Sequence, residues 1–502
     1  MANPIPQPAG SFLVGNLNEI DPDHTSESLQ RLQKLYGPIF RLTIFRRSVV
    51  IISSQELVNF VCDESKFDKK ISGSLNQFRA IAGDGLFTAH TSEPNWKLAH
   101  KILVPAFGPQ AIRDMFPAMM DIASQLILRW QRFQGETIDV CDSFTRLTLD
   151  TIALCSFNYR FNSFYEKKMH HFVDAMVDVL VESGRRTKRF ALQNALMMAT
   201  TRKYNEDIAF IHNLCDEIVK ERRQNPNDVN DLLNRMINGK DPETGYQLSD
   251  ENIRYQMVTF LIAGHETTSG LLSFATYFIL KNPETLQKAQ AEVDQFDEIT
   301  IETLTKLKYI DAVLKETLRL QATAPSFSLQ CKADSIILPG GYEVHKDEGI
   351  SVLLPGLHRD PKVWDRPEEF LPERMLNGGF EKLPPNAWKP FGNGQRACIG
   401  RPFAWQESLL ALALVLKHFN IEFVDPSYDL RIKQTLTIKP EGLKIRVRSR
   451  QPVGLSFNTT KSVKSTDKPT TLNAETTKTI QPLSIFYGSN SGSCESFARN
   501  IA

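Results

Sequence analysis

The amino-acid sequence predicts a mainly α-helical fold with small β-sheets. From about residue 107 to 235, apolar residues recur at steps of three and four, as in segments 122–133 and 205–223. Residues 38–53, 336–352 and 421–447 instead hold short alternating runs around turns, which is typical of β-hairpins. We therefore expect a helical body with hairpins at its edges.

Composition indicates a globular protein with one large domain and an appendage. The chain has 502 residues, of which 41% are hydrophobic and 23% charged, fractions that argue against a disordered or fibrous chain. The formal net charge is only +1, so the bulk charge gives no indication of nucleic-acid binding. We expect the large domain to span residues 1–450.

The thiols and the N-terminus predict a cytoplasmic protein. The N-terminal segment lacks a basic and apolar leader, and no run approaches the ~18 apolar residues of a membrane span, so we expect no integral membrane anchor. The cysteines are odd in number and scattered, without zinc spacing, which favours reduced thiols. They are Cys62, Cys141, Cys155, Cys215, Cys331, Cys398 and Cys494.

The composition changes after residue 450. Residues 451–480 are rich in Ser, Thr and Lys without apolar periodicity, which predicts a flexible linker. Residues 481–502 then read as an apolar strand, a Gly/Ser loop and the start of a helix. Hydroxyls and amides at such a helix start can bind phosphate, although short loops of this kind are common. The loop residues are Ser489, Asn490, Ser491, Gly492 and Ser493.

The segment Phe391–Gly400 places Cys398 on a glycine-rich loop ahead of an apolar helix predicted over residues 401–419. Glycines 392, 394 and 400 would permit positive φ and close approach of a flat cofactor. Backbone amides and the positive helix end would lower the thiol pKa, so we interpret Cys398 as the thiolate ligand of a haem iron. For an isolated cysteine, a small buried apolar residue would be the default alternative.

The full spacing Phe-x-x-Gly-x-Arg-x-Cys-x-Gly-x-x-x-Ala, satisfied through Ala404, resembles the cysteine-ligand loop of the cytochrome P-450 family. The resemblance implies the P-450 fold, haem b as cofactor and an oxidoreductase function. It also implies that Phe391 borders the haem and that Arg396 pairs with a haem propionate.

A helix predicted over residues 251–280 carries Ala263-Gly-His-Glu-Thr-Thr268 within an apolar run. Gly264 weakens a helix by about 1 kcal/mol relative to alanine, and the Thr267 hydroxyl can bond the Ala263 carbonyl and open a groove. The resemblance makes this the oxygen-activation motif, with Thr267 as hydrogen-bond donor and Glu266 in proton delivery. Satisfied core threonines are the alternative, and His265 is expected to be a packed residue.

Glu316 and Arg319 lie three apart and therefore on one helical face. In isolation such pairs are commonly surface ion pairs. In the P-450 family the motif forms a buried network with a later arginine, here Arg374, that supports the cysteine loop. Met375 stands where the family usually has an aromatic residue.

Trp96 and His100 are four residues apart in an amphipathic stretch and can reach the same partner. The resemblance assigns both, together with Arg396, to the haem propionates. Lys69 is a further candidate, for which a solvated lysine is an equal alternative.

Residues 1–450, and Asp84-Gly-Leu-Phe-Thr88 in particular, are similar to the self-sufficient fatty-acid hydroxylases, in which a cytochrome P-450 is fused to an NADPH–P-450 reductase. This resemblance places Phe87 over the haem, directing oxidation to subterminal carbons. Arg47 would bind the substrate carboxylate, without the tyrosine that relatives often have where Ile51 stands. An apolar tunnel would be lined by Leu75, Phe78, Ala82, Ala263, Ala324 and Leu436, each of which could equally belong to the core.

The segment after the linker is similar to the first phosphate loop of a flavodoxin-like FMN domain. We expect only the start of that domain, so FMN, FAD and NADPH would belong to a full-length parent or to a partner diflavin reductase. The predicted activity is hydroxylation of medium- to long-chain fatty acids with dioxygen. A haem-thiolate peroxygenase, isomerase or dehydratase, and a non-catalytic haem or lipid binder, are the alternatives. The acid–alcohol pair and the intact motifs count against both.

Overall fold

The computed structural model describes residues 2–45, 47–71, 73–187, 189 and 191–450. Across these residues the fold is mainly helical with small sheets, as predicted. The predicted linker at 451–480 and the predicted strand and phosphate loop at 481–502, with Ser489, Asn490, Ser491, Gly492 and Ser493, lie outside the described residues.

Most of the described chain is helical. The α-helices, numbered along the chain, are α1 (Thr25–Tyr36), α2 (Gln55–Val61), α3 (Ser74–Ala82), α4 (Pro94–Leu103), α5 (Pro109–Asp114), α6 (Phe116–Arg132), α7 (Val140–Phe157), α8 (His171–Arg186), α9 (Ala191–Leu196), α10 (Met198–Gln224), α11 (Leu232–Asn238), α12 (Asp250–Lys281), α13 (Pro283–Val293), α14 (Ile301–Leu304), α15 (Lys308–Leu320), α16 (Leu354–Leu357) and α17 (Arg401–His418). Short 3₁₀ turns occupy Leu17–Glu19, Val104–Phe107, Pro372–Met375 and Gly394–Arg396.

The strands form four small sheets in the described part of the chain. They are β1 (Ile39–Ile44), β2 (Arg47–Ile52), β3 (Phe67–Lys69), β4 (Ile138–Asp139), β5 (Ser326–Cys331), β6 (Ser335–Leu338), β7 (Tyr342–His345), β8 (Gly349–Leu353), β9 (Phe419–Phe423), β10 (Ile432–Gln434), β11 (Ile438–Pro440) and β12 (Lys444–Ser449). The sheet orders are β1-β2-β8-β5-β3, β4-β12-β9, β10-β11 and β6-β7.

The predicted hairpins are present, with one difference in pairing. Strands β1 and β2 pair in antiparallel register from Ile39 with Ile52 to Ile44 with Arg47. Strands β6 and β7 form the hairpin predicted within 336–352, but β8 leaves it to lie parallel to β2 and antiparallel to β5. Alternation predicts a strand but does not identify its partner, since the partner depends on which sheet edge lies nearby.

Helix α12 passes through the helical core. The Ser249 hydroxyl caps its first turn by accepting from the Asn252 N–H, and Pro283 follows its end, which agrees with the predicted helix over 251–280. Most of its residues are buried, and it packs against α7, α10, α15 and α17. It therefore supplies the backbone on which the site is arranged.

Two further findings concern the cysteines and the helices. The six described cysteines, Cys62, Cys141, Cys155, Cys215, Cys331 and Cys398, are unbridged. None of the helices within the described residues is long and apolar enough to cross a membrane.

Candidate active site

The Cys398 loop is tightly folded. The Cys398 N–H donates to the Phe391 carbonyl at 2.8 Å, and a 3₁₀ turn at Gly394–Arg396 returns the chain toward α17. Gly392 and Gly394 have φ of +77° and +56°, as predicted. Gly400 does not: its φ is −81°, an ordinary value, because it is the N-cap of α17. The expectation of positive φ at Gly400 was therefore wrong.

Burial and the neighbouring polar groups shift the pKa of the Cys398 thiol in opposite directions. Burial raises the pKa of the Cys398 thiol, whereas hydrogen bonds from the Gly400 and Arg401 amides and the charge of Arg401 lower it. The amides thus donate as predicted, but burial is the larger effect, so the expected net lowering of the pKa is wrong for the chain alone. A thiolate at this position needs a cation bound to the sulfur, because metal coordination deprotonates thiols.

Several side chains of the predicted site are accessible although protein surrounds them. Cys398 has exposed surface despite the burial that raises its pKa. Ala263 is exposed and Thr267 partly so, on a helix that is otherwise almost fully buried. Phe107 connects the two elements: its ring stacks on Phe260 of α12 at 5.7 Å and lies near Gly400. Phe107 therefore lies next to both the loop and this face of α12.

The side chains predicted to hold the haem propionates lie close to one another. The Arg396 guanidinium lies 4.8 Å from the Trp96 ring centroid, and the Trp96 and His100 rings are 5.0 Å apart. Burial lowers the pKa of Arg396 to about 10, and burial with the nearby Arg396 charge lowers the pKa of Lys69 to about 7. The same two causes lower the pKa of His100.

These perturbed cations fit the carboxylates of a haem, since an anion beside them would offset the cost of desolvation. Together with the accessible Cys398 thiol, they would provide both an iron ligand and partners for the propionates of a haem. The alternative of a solvated Lys69 does not agree with its burial. Phe391 packs against Trp405 and Trp388, at 6.1 and 6.0 Å between ring centroids, at the start of the loop.

The groove-forming hydrogen bond on α12 is present. The Thr267 hydroxyl donates to the Ala263 carbonyl at 2.8 Å, as predicted from the sequence. Gly264 has an additional reason to be glycine: a Cβ there would lie 2.6 Å from Ile152 Cγ1 of α7. The glycine therefore permits close packing of α7 on α12.

Glu266 is buried and paired, through residues that the sequence analysis missed. The Lys439 Nζ lies 2.8 Å from Glu266 Oε1, and the Thr437 hydroxyl donates to Oε2 at 3.0 Å. Burial alone would raise the pKa of Glu266, but the charge of Lys439 and contacts from His265 and Lys439 lower it below its ordinary value. No local pattern signals this pair, because 173 residues separate its members.

His265 is a packed residue, in agreement with the sequence prediction. It is completely buried, its Nδ1 lies 2.5 Å from the Leu261 carbonyl oxygen, and its Nε2 lies 3.4 Å from Glu266 Oε1.

The predicted ion-pair network is buried and complete. Arg319 binds both oxygens of Glu316 at 2.7 and 2.8 Å, and Arg374 Nε adds a third contact at 3.1 Å. Arg319 also donates to the His358 carbonyl, and the His358 Nε2 accepts the Lys389 N–H, two residues before Phe391. Burial and the Arg319 charge lower the pKa of His358 to about 3, which keeps that ring neutral. Met375 is buried with Ala312 and Trp364, so this corner is packed without the aromatic residue.

The predicted substrate residues differ in burial. Phe87, Leu75, Ala324 and Leu436 are half-buried, and Ala263 is exposed, as residues lining a tunnel would be. Phe78 and Ala82 are 2% and 0% exposed, so they belong to the packed core of this structure. Arg47 is exposed at the start of β2, while Ile51 is buried with Leu32 and Phe40. Their substrate roles stay predictions.

The cytochrome P450 family model matches residues 5–447. The chain belongs to the cytochrome P450 family. Haem is the cofactor of this family, and the chain is accordingly a haem-binding oxidoreductase domain.

Relatives with this domain are fusion proteins by name. A bifunctional cytochrome P450/NADPH–P450 reductase of Aspergillus oryzae is 50% identical over 99% of this chain and 47% of its own length. A protein of the same name from Fusarium oxysporum is 48% identical over 99% of the chain and 48% of its length. A self-sufficient cytochrome P450 monooxygenase of Phanerodontia chrysosporium is 48% identical over the whole chain and 48% of its length. The chain thus spans about half the length of the curated relatives it matches.

Proposed function

We propose that the chain is the haem-thiolate monooxygenase part of a self-sufficient cytochrome P450. It hydroxylates medium- to long-chain fatty acids at subterminal carbons, using dioxygen and electrons from NADPH. The observation that carries this proposal is the accessible Cys398 thiol together with the accessible Ala263–Thr267 face of α12, both on elements that adjoin Phe107.

In this proposal Cys398 ligates the iron of haem b, and the Trp96, His100, Arg396 and Lys69 side chains hold the propionates, with Phe391 beside the ring. Bound haem supplies the redox chemistry that activates dioxygen. Thr267, whose hydroxyl lies at the groove, donates a hydrogen bond there. Glu266 exchanges protons with solvent through Lys439, whose side chain is 15% exposed.

Substrate selection follows from charge and apolar surface. Arg47 is an exposed cation suited to a carboxylate, and Ile51 adds no hydrogen bond beside it. The partly exposed Phe87 ring would keep the chain terminus from the haem. The remaining lining is assigned to Leu75, Phe78, Ala82, Ala263, Ala324 and Leu436.

Electrons would come from a diflavin reductase carrying FMN and FAD, in the same polypeptide or in trans. The printed names of the relatives support this assignment. The predicted linker and FMN phosphate loop after residue 450 are consistent with a fused reductase. We assign the protein to the cytoplasm on the basis of its predicted reduced thiols.

The proposal is tested by titrating a fatty acid into the purified ferric protein and recording the spin-state shift. NADPH and a diflavin reductase are then added, and hydroxylated products are analysed. Binding and subterminal products are expected. Product with peroxide but not with reductase would identify a peroxygenase, and binding without product in either case would identify a lipid binder. A reduced carbon monoxide spectrum without the red-shifted thiolate band would disprove ligation by Cys398.

Replacing Phe87 tests the tunnel assignment. Phe87→Ala removes the ring that separates the chain terminus from the haem, so oxidation is expected to move toward the chain end. The measurement is the ratio of hydroxylation positions by mass spectrometry. An unchanged ratio would contradict the role of Phe87. Phe40→Leu, in a separate buried cluster with Leu32 and Ile51, serves as the volume control.

A further inference from the structure

The loop that carries Phe87 is held by an unusual number of charged donors. Four consecutive carbonyls, from residue 86 to residue 89, accept hydrogen bonds from cations. Arg396 donates to Leu86 O at 3.2 Å and Ala89 O at 2.8 Å, Lys69 to Phe87 O at 2.7 Å, and Arg79 to Thr88 O at 2.7 Å. Hydrogen bonds to charged groups are the stronger ones, so this backbone is well restrained on its carbonyl side.

The Phe87 loop is also connected to α12 by a chain of hydrogen bonds between side-chain amides and the Asp84 carboxylate. The Leu86 N–H donates to Gln256 Oε1 at 2.9 Å, and Gln256 Nε2 donates to Asn252 Oδ1 at 2.9 Å. Asn252 Nδ2 then donates to Asp84 Oδ1 at 2.7 Å, and Asn95 Nδ2 of α4 donates to Asp84 Oδ2 at 2.6 Å. We call Gln256, Asn252, Asp84 and Asn95 the amide relay.

The relay is buried where it leaves α12. Gln256 and Asn252 are 0% and 1% exposed, so both side-chain amides lie in the protein interior. Burying two side-chain amides costs free energy unless they are fully hydrogen-bonded. Removing one partner of this relay would therefore leave a buried polar group unpaired. Gly85 allows the close approach, since a Cβ there would lie 2.7 Å from Thr259 Oγ1 of α12.

We propose that Gln256, acting through the amide relay, is a positioning residue that fixes the Phe87 loop against α12 and thereby determines which carbon of the substrate is oxidised. The Leu86 N–H belongs to the Gly85–Leu86 peptide, one peptide before the peptide that joins Leu86 to Phe87, so loss of its hydrogen bond loosens the backbone immediately before the ring. The ring is further constrained by Lys69, whose Nζ lies 4.5 Å from the ring centroid. The consequence for oxidation rests on the proposed function, whereas the positioning of the loop does not.

Gln256→Met tests this inference in the haem-loaded protein. Methionine has a similar volume but leaves the Leu86 N–H and the Asn252 oxygen unpaired. Amide hydrogen exchange in the 84–89 segment is expected to accelerate about tenfold or more, because exchange reports local opening. The ratio of hydroxylation positions is expected to shift as well. The carbon monoxide difference spectrum should keep its thiolate band, since the Cys398 loop is untouched.

Two further variants complete the test. Asn95→Ala, at the half-buried end of the relay, is expected to change exchange in the same direction by a smaller factor, and it remains informative if Gln256→Met folds poorly. Thr276→Val is the control: its hydroxyl is fully buried on the same helix but bonds only the Leu272 carbonyl among the described residues. It should leave loop exchange and product ratio unchanged.

Two results would overturn the proposal: wild-type exchange in the 84–89 segment of both relay variants, or equal acceleration in Thr276→Val. If exchange accelerates in the relay variants but no variant or wild type oxidises a fatty acid, the substrate assignment fails while the positioning role stands.

Discussion

At the residue scale, the ion pair between Glu266 and Lys439 gives the motif on α12 a buried charged partner that the sequence alone did not reveal. We expect Lys439→Met to remove the largest of the effects that oppose the burial of Glu266, which raises the pKa of Glu266. The acidic limb of the pH–rate profile should then move to higher pH, and kcat at neutral pH should fall about tenfold. The measurement is kcat against pH with a diflavin reductase.

Lys433→Met, an exposed lysine on the adjacent strand β10, is the matched control and should leave the profile unchanged. If Lys439→Met lowers only the melting temperature and leaves the profile in place, the pair fixes β11 to α12 and takes no part in proton delivery.

Lys69 predicts a pH dependence of haem binding. Its pKa is lowered to about 7, and a haem carboxylate beside it would raise that pKa toward the ordinary value. Haem binding then takes up a proton above about pH 7, so the affinity should fall as the pH rises from that value, by at most about tenfold per pH unit. The rate of haem transfer to apomyoglobin at several pH values measures this effect.

Lys69→Arg keeps the charge without titrating in that range, so its transfer rate should vary less between pH 7 and pH 9. Lys66→Met, on the exposed surface, should behave as the wild type. A wild-type rate independent of pH would show that Lys69 does not face a carboxylate.

At the element scale, the contact between α7 and α12 depends on Gly264. Alanine at this position would favour the helix by about 1 kcal/mol, but its Cβ would collide with Ile152. Overpacking commonly costs about 1–3 kcal/mol, so Gly264→Ala should destabilise the protein on balance. Chemical denaturation measures the free energy of unfolding.

Gly184→Ala in α8 is a suitable control, because a Cβ there meets nothing within 4 Å. It should stabilise the protein slightly. The double variant Gly264→Ala with Ile152→Ala removes the Cγ1 and Cδ1 atoms that the new Cβ would meet, so it should be less destabilised than the sum of the two single variants. Strict additivity of the two changes would contradict the packing argument.

At the scale of the whole molecule, the Glu316 network joins α15 to the 358–374 segment and, through His358, to the Cys398 loop. Glu316→Gln leaves the completely buried Arg319 without its countercharge, at a cost of about 3–5 kcal/mol. We expect a large loss of thermal stability and of haem content. Both are measured on the purified protein.

Glu373→Gln, at the residue next to Arg374 of the network, provides the comparison. Its carboxylate pairs with Lys288 at the surface, where such pairs contribute about 1 kcal/mol or less. Equal losses in the two variants would mean that burial of Glu316 is not what makes the network important.

Much of the fold and the candidate site could be predicted because the signals are local. Helical spacing identified α12 and α17, alternation identified the β1–β2 hairpin, and fixed spacings identified Cys398, Thr267 and the Glu316–Arg319 pair. Each of these depends on residues a few positions apart, whose relative placement follows from helix or strand geometry.

Contacts between distant segments required the tertiary structure. The partner of β8, the pairing of Glu266 with Lys439, and the Gln256 bond to Leu86 join residues far apart in the chain, and no periodicity encodes which surfaces meet. The pKa of the Cys398 thiol also depended on packing, since burial outweighed the nearby amides. The sequence by itself therefore determined the family and the local elements, and it predicted candidate site residues from their spacing. Only the packing of those elements decided which groups are buried, which charges are paired and how the Phe87 loop is held.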